Sequence, residues 1–386
     1  MPFSRPRALF AAALLALFLL CALLAACTLR SSAFDVHGRG LFDLCETQGI
    51  FPVSAEEAAG VVEKLSPKLQ QASSFTDFSF AIEQSLAHAG RRKPANIALK
   101  GSKMSVTYGQ LADSLRHLQS LLPRLDRNPQ LLATEFSWYR VGPDFGITGY
   151  YEPTLMASRT KSDKFYYPLY AMPKDVKKGK GYHTRHDIDR KGALSGRGLE
   201  LAWVDSEVDA FFLHVQGSGR LQFPDGSTSH VLYAGKNNRS YTSLGRVMRE
   251  EGLLQPGEVT MPSIRRVLAE NPDKQDELLD RNASYVFFHE ASKGPLGAMG
   301  YPLTPWVSIA TDTNVLPAGS LTVLITPLPD AAGEYTKPFH GLMLPQDRGG
   351  AIKGNRVDIF CGPGDEAAHI AGHLDVRGAV YVLLKK

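Results

Sequence analysis

Three aspartates close short apolar segments in the last quarter of the sequence. Asp312 stands in ATDTNVLPAGS, Asp347 in LPQDRGG and Asp358 in RVDIFCGPG. A buried carboxyl group is costly unless it is hydrogen-bonded or functional, and burial raises its pKa. A carboxyl group with a raised pKa can donate a proton near neutral pH, so these three residues are candidates for acid–base chemistry.

Asp358 and Asp347 differ in their surroundings. On a strand, Asp358 shares a face with Arg356 and Phe360, while its apolar neighbours point to the other side. Asp347 precedes Arg348 and two glycines, which is a more polar setting. We therefore interpret Asp358 as the proton donor and Asp347 as a residue that orients the ligand. The alternative is that all three aspartates tie turns through side chain-to-backbone hydrogen bonds, and their spacing leaves this interpretation open.

The surrounding sequence predicts strands for the segments that hold these aspartates. From Tyr285 onwards, apolar runs alternate with Gly- and Pro-rich turns, and segments rich in strand formers also cover Phe145 to Ser158 and Phe165 to about Ala234. Within the last of these, VDAFFLHVQGSGRLQF predicts two strands joined at Gly217-Ser218-Gly219. Helical periodicity dominates elsewhere, and the predicted helices span residues 55–65, 78–89, 108–122, 243–251, 262–271 and 272–281.

Two motifs offer groups that suit a polar ligand. Tyr150 and Tyr151, in TGYYEP, are adjacent aromatic residues in what we interpret as an exposed turn. Such rings stack on sugars as well as pack in cores. Gln216 and Ser218 present an amide and a hydroxyl group where a strand is predicted to end.

Neither the histidines nor the cysteines predict a metal site. His183, His186 and His214 lack a ligand spacing such as H-E-x-x-H, which favours polar-loop or core positions. Cys45 and Cys361 are the two cysteines after residue 27, too few for a zinc site. They could form a disulfide in an oxidising compartment, although nothing in the sequence requires it. We expect neither a metal nor a cofactor.

Residues 1–26 are typical of a lipoprotein signal peptide. Two arginines precede an apolar run from Ala8 to Leu24, and the sequence LAAC ends at Cys27. A cysteine in this context is lipidated, and Thr28 in place of Asp favours the outer membrane. We expect residues 27–52 to be a tether that holds the body at the periplasmic face of the outer membrane of a Gram-negative bacterium. The alternatives are an uncleaved anchor or a plain secretory signal.

Length and charge limit the class of protein. A chain of 386 residues predicts two domains better than one. Ordinary apolar content with charges of both signs argues against disorder and against a polytopic membrane protein. A net charge of +4 is too small to favour nucleic acid as a partner.

Five motifs, in order from about residue 134 to the C-terminus, resemble the lytic murein transglycosylase A family, whose C-terminal part is the three-aspartate or 3D domain. They are TGYYEP (148–153), HVQGSG (214–219), ATDTNVLPAGS (310–320), QDRGGAIKG (346–354) and RVDIFCGPG (356–364). The lipobox agrees with this resemblance. The set is specific, although the Asp-containing module alone also occurs in other cell-wall proteins.

The resemblance implies a mainly β fold with peripheral helices. A double-psi β-barrel domain would be assembled from residues 53–151 and 293–386. A second, smaller β-barrel domain would be inserted between them at residues 152–292, with a groove between the two domains.

The resemblance also implies a reaction. Family members cleave the β-1,4 bond between N-acetylmuramic acid and N-acetylglucosamine in peptidoglycan without water, and they leave a 1,6-anhydro end. One aspartate acts first as acid and then as base, a role that maps onto Asp358. Supporting contacts to the saccharide are implied for Asp347 and Asp312. The residues expected to line the groove are Thr148, Gly149, Tyr150, Tyr151, Gln216, Gly217 and Ser218.

One position departs from the family pattern. Arg348 follows Asp347 where the family usually carries a small residue. That cation could pair with Asp347 or bind the lactyl carboxylate of the substrate, which leaves the detailed role of Asp347 open.

The implied partner is a peptidoglycan glycan strand, and we expect a monomer. Contacts with cell-wall synthesis or division proteins are compatible with this interpretation, but no segment identifies one. One alternative is a peptidoglycan-binding lipoprotein without activity, because double-psi barrels of other families bind polysaccharide without cutting it. A second alternative is a true hydrolase.

Overall fold

The computed structural model describes residues 32–34, 40–101, 104–255 and 257–386. Cys27 and the predicted signal peptide lie outside these residues. The strands are β1 (Ser32–Phe34), β2 (Gly40–Asp43), β3 (Gly49–Pro52), β4 (Ile97–Lys100), β5 (Ser105–Thr107), β6 (Phe136–Glu152), β7 (Thr154–Ser158), β8 (Tyr167–Tyr170), β9 (Glu200–Val204), β10 (Ser218–Gln222), β11 (Thr228–Lys236), β12 (Val286–Ala291), β13 (Ser308–Thr311), β14 (Thr322–Leu328), β15 (Lys337–Asp347), β16 (Arg356–Pro363) and β17 (Asp375–Lys385).

The helices of the described residues lie in the connections between these strands. They are α1 (Ala55–Val62), α2 (Ser79–Ala89), α3 (Tyr108–Leu125), α4 (Leu131–Thr134), α5 (Arg185–Asp189), α6 (Glu207–Gln216), α7 (Leu244–Glu250), α8 (Met261–Glu270), α9 (Gln275–Asp280) and α10 (Asp365–His373). Short 3₁₀ turns lie at Pro67–Gln70, Phe75–Phe78 and Pro272–Lys274.

Six strands close into a barrel built from two distant parts of the chain. Their order is β16, β13, β15, β14, β17 and β6, and β6 pairs back to β16. The pairs β13–β15 and β16–β6 are parallel, and the other four pairs are antiparallel. This closed barrel is the double-psi β-barrel that the sequence resemblance implies.

β6 is the longest strand, with 17 residues, and it connects most of this barrel. One edge pairs with β17. The other edge pairs first with β3 and then, beyond Gly146, with β16. Part of the segment predicted to be a tether is therefore structured, since β3 (Gly49–Pro52) is an edge strand of the main sheet.

A second, smaller barrel follows directly from β6. Its strand order is β12, β11, β10, β7, β9 and β8. A parallel backbone bridge between Ala171, just after β8, and Phe288 in β12 brings the two edge strands together. The chain enters this unit at Pro153 and leaves it after β12.

Apolar packing holds the helices against the first barrel. Leu118 and Leu122 of α3 share a core with Val323 and Leu342, on the outer side of the barrel wall. Side chains such as Phe339 fill its interior. Burial of each such side chain stabilises the fold by about 1.5–3 kcal/mol, so this layer is structural, as its apolar stripes predict.

The structure corrects the prediction for α3 at its C-terminal end. Thr107 caps the helix together with Gln110, as the capping motif indicates. The sequence predicts that this helix ends at Leu122, immediately before Pro123, yet the helix continues to Leu125. Leu121, Leu122 and Leu125 are all buried, and this packing outweighs the local cost of a proline near the helix end.

The structure also corrects the prediction of two strands in VDAFFLHVQGSGRLQF. The first half is helix α6, capped by Ser206, and only Ser218–Gln222 is a strand. Leu213 packs into the core of the second barrel, whereas Phe211 and Phe212 pack into a separate core with α7 to α9. A helix buried on two sides is apolar all round, so its sequence shows a continuous apolar run without helical periodicity.

Candidate active site

Asp358 is the third residue of β16, which lies between β13 and β6. Its partners in the sheet are Ala310 on β13 and Thr148 on β6. The Thr148 hydroxyl donates a hydrogen bond of 2.8 Å to Asp358 Oδ1. The side chain is half-buried, so that a bound molecule can reach it.

The surroundings of Asp358 favour its protonated form. Desolvation by the barrel wall raises the pKa of the carboxyl group from 3.8 to about 6. The hydrogen bond from Thr148 and the charge of Arg356 lower the pKa, and the nearby charge of Asp347 raises it, but desolvation dominates. A carboxylic acid with this pKa is matched to proton transfer at mildly acidic to neutral pH.

Asp347 lies in the same row of the sheet, two strands away. Ala310 pairs with Asp347 on one side and with Asp358 on the other. Two strand spacings place the Cα atoms of the two aspartates about 9–10 Å apart. The Tyr150 hydroxyl donates to Asp347 Oδ2 at 2.9 Å, and the Ala298 amide donates to Oδ1 at 2.8 Å.

Both members of the Asp347–Tyr150 pair are perturbed by burial. Desolvation raises the pKa of Asp347, although its hydrogen bonds and the charge of Arg348 oppose the shift. Burial and the adjacent Asp347 raise the pKa of the Tyr150 phenol well above its usual range. Tyr150 therefore keeps its proton and acts as a donor to Asp347.

Asp312 has a different setting. Its carboxylate accepts hydrogen bonds from the backbone amides of Asn314 at 3.0 Å and Gly354 at 2.9 Å. These two bonds lower the pKa of Asp312. For this residue the geometry matches the alternative interpretation, in which the aspartate ties one loop to another.

Tyr150 and Tyr151 lie in β6 and not in an exposed turn, which corrects the sequence interpretation. The Tyr150 ring packs on Phe360 at a centroid distance of 5.2 Å, and Tyr151 is only 9% exposed. The glycine before them serves close packing: a Cβ at Gly149 would lie 2.9 Å from the Ala371 Cα atom in α10. From the sequence, we interpret the glycine beside the two tyrosines as a sign of a turn. In the structure it lies in a strand and allows close contact with α10.

The inserted domain brings Gln216, Gly217 and Ser218, where α6 passes into β10, next to β6. Gln216 is the last residue of α6, and its Oε1 accepts a hydrogen bond of 3.1 Å from the Tyr151 amide. Gly217 ends the helix at φ +82°, a left-handed conformation that favours glycine. We refer to the half-buried surface formed by 148–150, 216–218, Asp347 and Asp358 as the groove.

Sequence reasoning missed two groups that hold this site. Glu152 is 2% exposed, with its carboxylate 2.6 Å from His230 Nδ1 and 3.3 Å from Arg220 Nη2. It fixes the point where β6 passes into the second barrel, and an acid just before Pro153 was the available signal. The Ala298 amide, which holds Asp347, comes from a loop whose position no local pattern indicates.

Arg348 forms no ion pair with Asp347 or with any other acidic residue in the described ranges. Its side chain is exposed and lines a separate cavity next to Thr313 and Asn314. Its charge is still close enough to lower the pKa of Asp347.

The described part of the chain holds no group of three or more His, Cys, Asp or Glu side chains arranged for a metal ion. His214 is buried with Nδ1 3.1 Å from Arg185 Nη1, and His186 Nδ1 lies 2.8 Å from Asp280 Oδ2. No disulfide joins Cys45 to Cys361. Among the helices of the described residues, none has the length and apolar character needed to cross a membrane.

Comparison with known sequences identifies both parts of the fold. A model of the MltA specific insert domain matches residues 146–289, and a model of the 3D domain matches residues 307–384. Membrane-bound lytic murein transglycosylase A of Escherichia coli (strain K12) is 35% identical over 305 residues, which cover 72% of this chain and 82% of that protein. The protein of the same description from Vibrio cholerae is 38% identical over 241 residues, which cover 61% of this chain and 64% of that protein.

Solved structures share the architecture. A membrane-bound lytic murein transglycosylase from Agrobacterium tumefaciens superposes with a TM-score of 0.73 at 32% identity, over 87% of this chain and 98% of that one. Escherichia coli MltA with bound chitohexaose gives a TM-score of 0.69 at 29% identity, over 90% and 98%.

The two barrels and the groove are thus those of lytic murein transglycosylases, a class of non-hydrolytic lyases that act on peptidoglycan. The chain belongs to the membrane-bound lytic murein transglycosylase A family.

Proposed function

We propose that the protein cleaves the β-1,4 bond between N-acetylmuramic acid and N-acetylglucosamine in peptidoglycan and leaves a 1,6-anhydro end on the muramic acid. The observation that carries this proposal is the half-buried Asp358, whose carboxyl group has a pKa of about 6 and is oriented by Thr148. Membership of the family supports it, as does the binding of chitohexaose by the Escherichia coli relative.

One carboxyl group can carry out both halves of the reaction. Protonated Asp358 donates its proton to the bridging oxygen as the bond from that oxygen to C1 of the muramic acid breaks. The resulting carboxylate then accepts the proton of the C6 hydroxyl group as the C6 oxygen attacks C1. Asp358 ends the cycle protonated, so no water is consumed.

A second catalytic carboxylate is not needed, because the nucleophile is part of the substrate. Two-carboxylate glycosidases use the second group to activate water or to form a covalent intermediate. Hydrogen bonds from Tyr150 and Ala298, one to each oxygen, fix the orientation of the Asp347 carboxylate. We assign two roles to Asp347: contact with the substrate, and a negative charge that helps to raise the pKa of Asp358.

The remaining groove residues position the glycan strand. Gly149, Gln216, Gly217 and Ser218 are each half-buried, and we assign to them polar contacts with the strand. Tyr150 acts through Asp347, and Tyr151 is too buried to stack on sugar. Asp312 acts on loop geometry and not on the saccharide.

Product analysis on purified sacculi tests the mechanism with the variant Asp358→Asn. We expect the variant to bind sacculi but to release anhydro-muropeptides at least about 10³-fold more slowly, because the acid and base are lost together. Mass spectrometry of the released products provides the measurement. Normal release of anhydro products by the variant would overturn the assignment of Asp358.

A folding control accompanies this experiment. Since the pKa of Asp358 is raised in the folded state, its ionised form opposes folding above about pH 6 and has no such effect below about pH 4. The uncharged amide that the variant carries in place of this carboxylate should therefore make the protein at least as stable as the wild type at pH 8, as judged by thermal unfolding. A less stable variant at pH 8 would make loss of activity uninformative, and Asp358→Glu would then replace it.

The same assay separates the alternative functions. Wild-type protein that binds sacculi without forming anhydro ends would be a peptidoglycan-binding protein. Incorporation of label from heavy-oxygen water into a reducing end would show hydrolysis. Anhydro ends without label support the proposal.

We further propose that the protein is a monomer held at the periplasmic face of the outer membrane by lipid at Cys27. The sequence LAAC and the family description "membrane-bound" support this location. Membrane fractionation of a Cys27→Ser variant tests it.

A further inference from the structure

A cavity of about 380 Å³ lies beside the groove, and three cations line it. They are Arg92, Lys100 and Arg348, and the polar residues Thr313 and Asn314 complete that side of the wall. We propose that this cavity binds free carboxylate groups of the peptide stem of a glycan strand held in the groove. The proposal rests on the proposed function, since it names a further part of the same substrate.

The cavity carries positive charge that the protein does not neutralise. None of the three cations forms an ion pair with an acidic side chain of the described residues, and no acidic residue lines the wall. The guanidinium group of Arg92 instead lies 5.8 Å from the centroid of the Tyr108 ring. Cations grouped in a concave site attract carboxylates and bind them through charge-assisted hydrogen bonds.

A buried histidine nearby reports the same excess of positive charge. His88 is 8% exposed, and neither ring nitrogen has a hydrogen-bond partner. Burial lowers the pKa of His88, and the charges of Arg92, Arg91 and Arg348 lower it further. The positive potential therefore extends beyond the cavity wall.

The backbone connects this cavity directly to the catalytic row. Arg348 is the residue after Asp347. Thr313 and Asn314 follow β13, whose Ala310 lies between the two aspartates of the groove. The Asp312 carboxylate holds this loop through the Asn314 and Gly354 amides. Asp312 thus shapes the cavity wall.

The distances suit a peptide stem. Two strand spacings and one residue separate Asp358 from Arg348, which is on the order of 10–14 Å along the sheet. A stem is attached to the lactyl group of the muramic acid, and three to four extended residues cover about the same distance. A cavity of about 380 Å³ is also far larger than a single bound anion needs.

Substrates with and without peptide stems test the proposal. We would measure kcat/KM on stem-bearing glycan strands and on strands stripped of stems by an amidase, for the wild type and for the double variant Arg92→Gln/Lys100→Gln. The ratio of the two values should fall about five- to tenfold in the double variant, the scale of two partly exposed charge pairs. The matched control is Arg116→Gln, which removes an exposed cation of α3 outside the cavity and should leave the ratio unchanged.

Each outcome decides one of the two proposals. An unchanged ratio in the double variant, with cleavage intact, would overturn the cavity proposal alone. Absence of cleavage of either substrate by the wild type would overturn the proposed function.

If the wild type cleaves neither substrate, binding alone tests the cavity. Calorimetry would measure the binding of L-alanyl-D-glutamate and of inorganic phosphate to the wild type and to the double variant. Binding of the dipeptide that the double variant loses supports the proposal. Equal affinity for phosphate would show an unselective anion site, and absence of dipeptide binding would show no stem site. Either result would overturn the assignment to the stem.

Discussion

At the scale of single residues, the environment of Asp358 opposes the negative charge of its carboxylate. The barrel wall removes water from the carboxyl group, while Thr148 supplies one hydrogen bond to one oxygen. A carboxyl group in this balance can carry a proton at mildly acidic pH and can also hold a negative charge, as the proposed reaction requires. The same balance makes its ionisation sensitive to small changes in the hydrogen bond.

Activity should therefore fall as the pH rises through about 6, because protonated Asp358 is the reacting form. Thr148→Val removes the hydrogen bond that stabilises the carboxylate, and it should move this falling limb to higher pH by about one unit. The pH dependence of kcat/KM on soluble glycan strands measures the shift. Thr148→Ser keeps the hydroxyl group and should leave the limb in place. A limb at the same pH in the Val and Ser variants would contradict the role of Thr148.

The sequence singled out Asp358 as the candidate acid, but it did not indicate the groups that hold this residue in place. Asp358 was identifiable because an acid between apolar residues on a strand is a costly arrangement. Asp312, of the same residue type and in a similar position, ties a loop. The sequence could not separate the two, because the difference depends on which backbone amides the fold brings near each carboxylate.

At the scale of elements, β6 organises the site. It carries Thr148 beside Asp358 and Tyr150 beside Asp347, and its last residues reach Gln216 of the inserted domain. Its packing against α10 depends on the absence of a side chain at Gly149. The strand and this helix are therefore in close contact next to Thr148.

Gly149→Ala should destabilise the fold by roughly 1–3 kcal/mol, because the new methyl group overlaps the α10 backbone and the Cys361 sulfur. Urea unfolding measures the change. Gly146→Ala is the matched control, since a Cβ at that position of the same strand meets no atom within 4 Å. Equal losses of stability in the two variants would show that strand propensity, and not the contact with α10, is responsible.

The prediction of elements failed where tertiary packing overrides local pattern. Helix α6 looks like a strand because two separate cores bury it, with Leu213 on one side and Phe212 on the other. The segment at Tyr150 looks like a turn because of Gly149. A glycine can mark a turn or allow close packing, and only the fold shows that it allows packing here. The predicted start of α3 at Tyr108 is correct, because the cap that Thr107 forms with Gln110 is local.

At the scale of the whole molecule, the protein consists of two six-stranded barrels, and the chain crosses between them at Pro153 and again after β12. The resemblance to a known family predicted this architecture, whereas periodicity alone predicted only strands and a layer of helices. Pairings such as Asp358 with Thr148 join residues far apart in the chain, and no local pattern specifies them. The domain limits at 152 and 292 remain proposals.

Anchoring is a property of the whole molecule that a single residue should control. Because each buried CH₂ group of an acyl chain contributes about 0.8 kcal/mol, loss of the chains at Cys27 should move the protein from the membrane fraction to the soluble periplasmic fraction. The variant Cys27→Ser, analysed by membrane fractionation, measures this. Its kcat/KM on soluble glycan should equal that of the wild type. A variant that stays with the membrane would contradict the anchor.

The pairing of β6 with β16 and β17 also determines when the site can form during folding. β17 ends at Lys385 and pairs with residues from Phe136 onwards. The barrel cannot close, and Thr148 cannot reach Asp358, before nearly the whole chain is available for folding. Non-local pairing of this kind is slow because the loop must be closed before any contact stabilises it. A chain that lacks β17 therefore lacks the closed barrel, and with it the contact between Thr148 and Asp358 on which the proposed reaction depends.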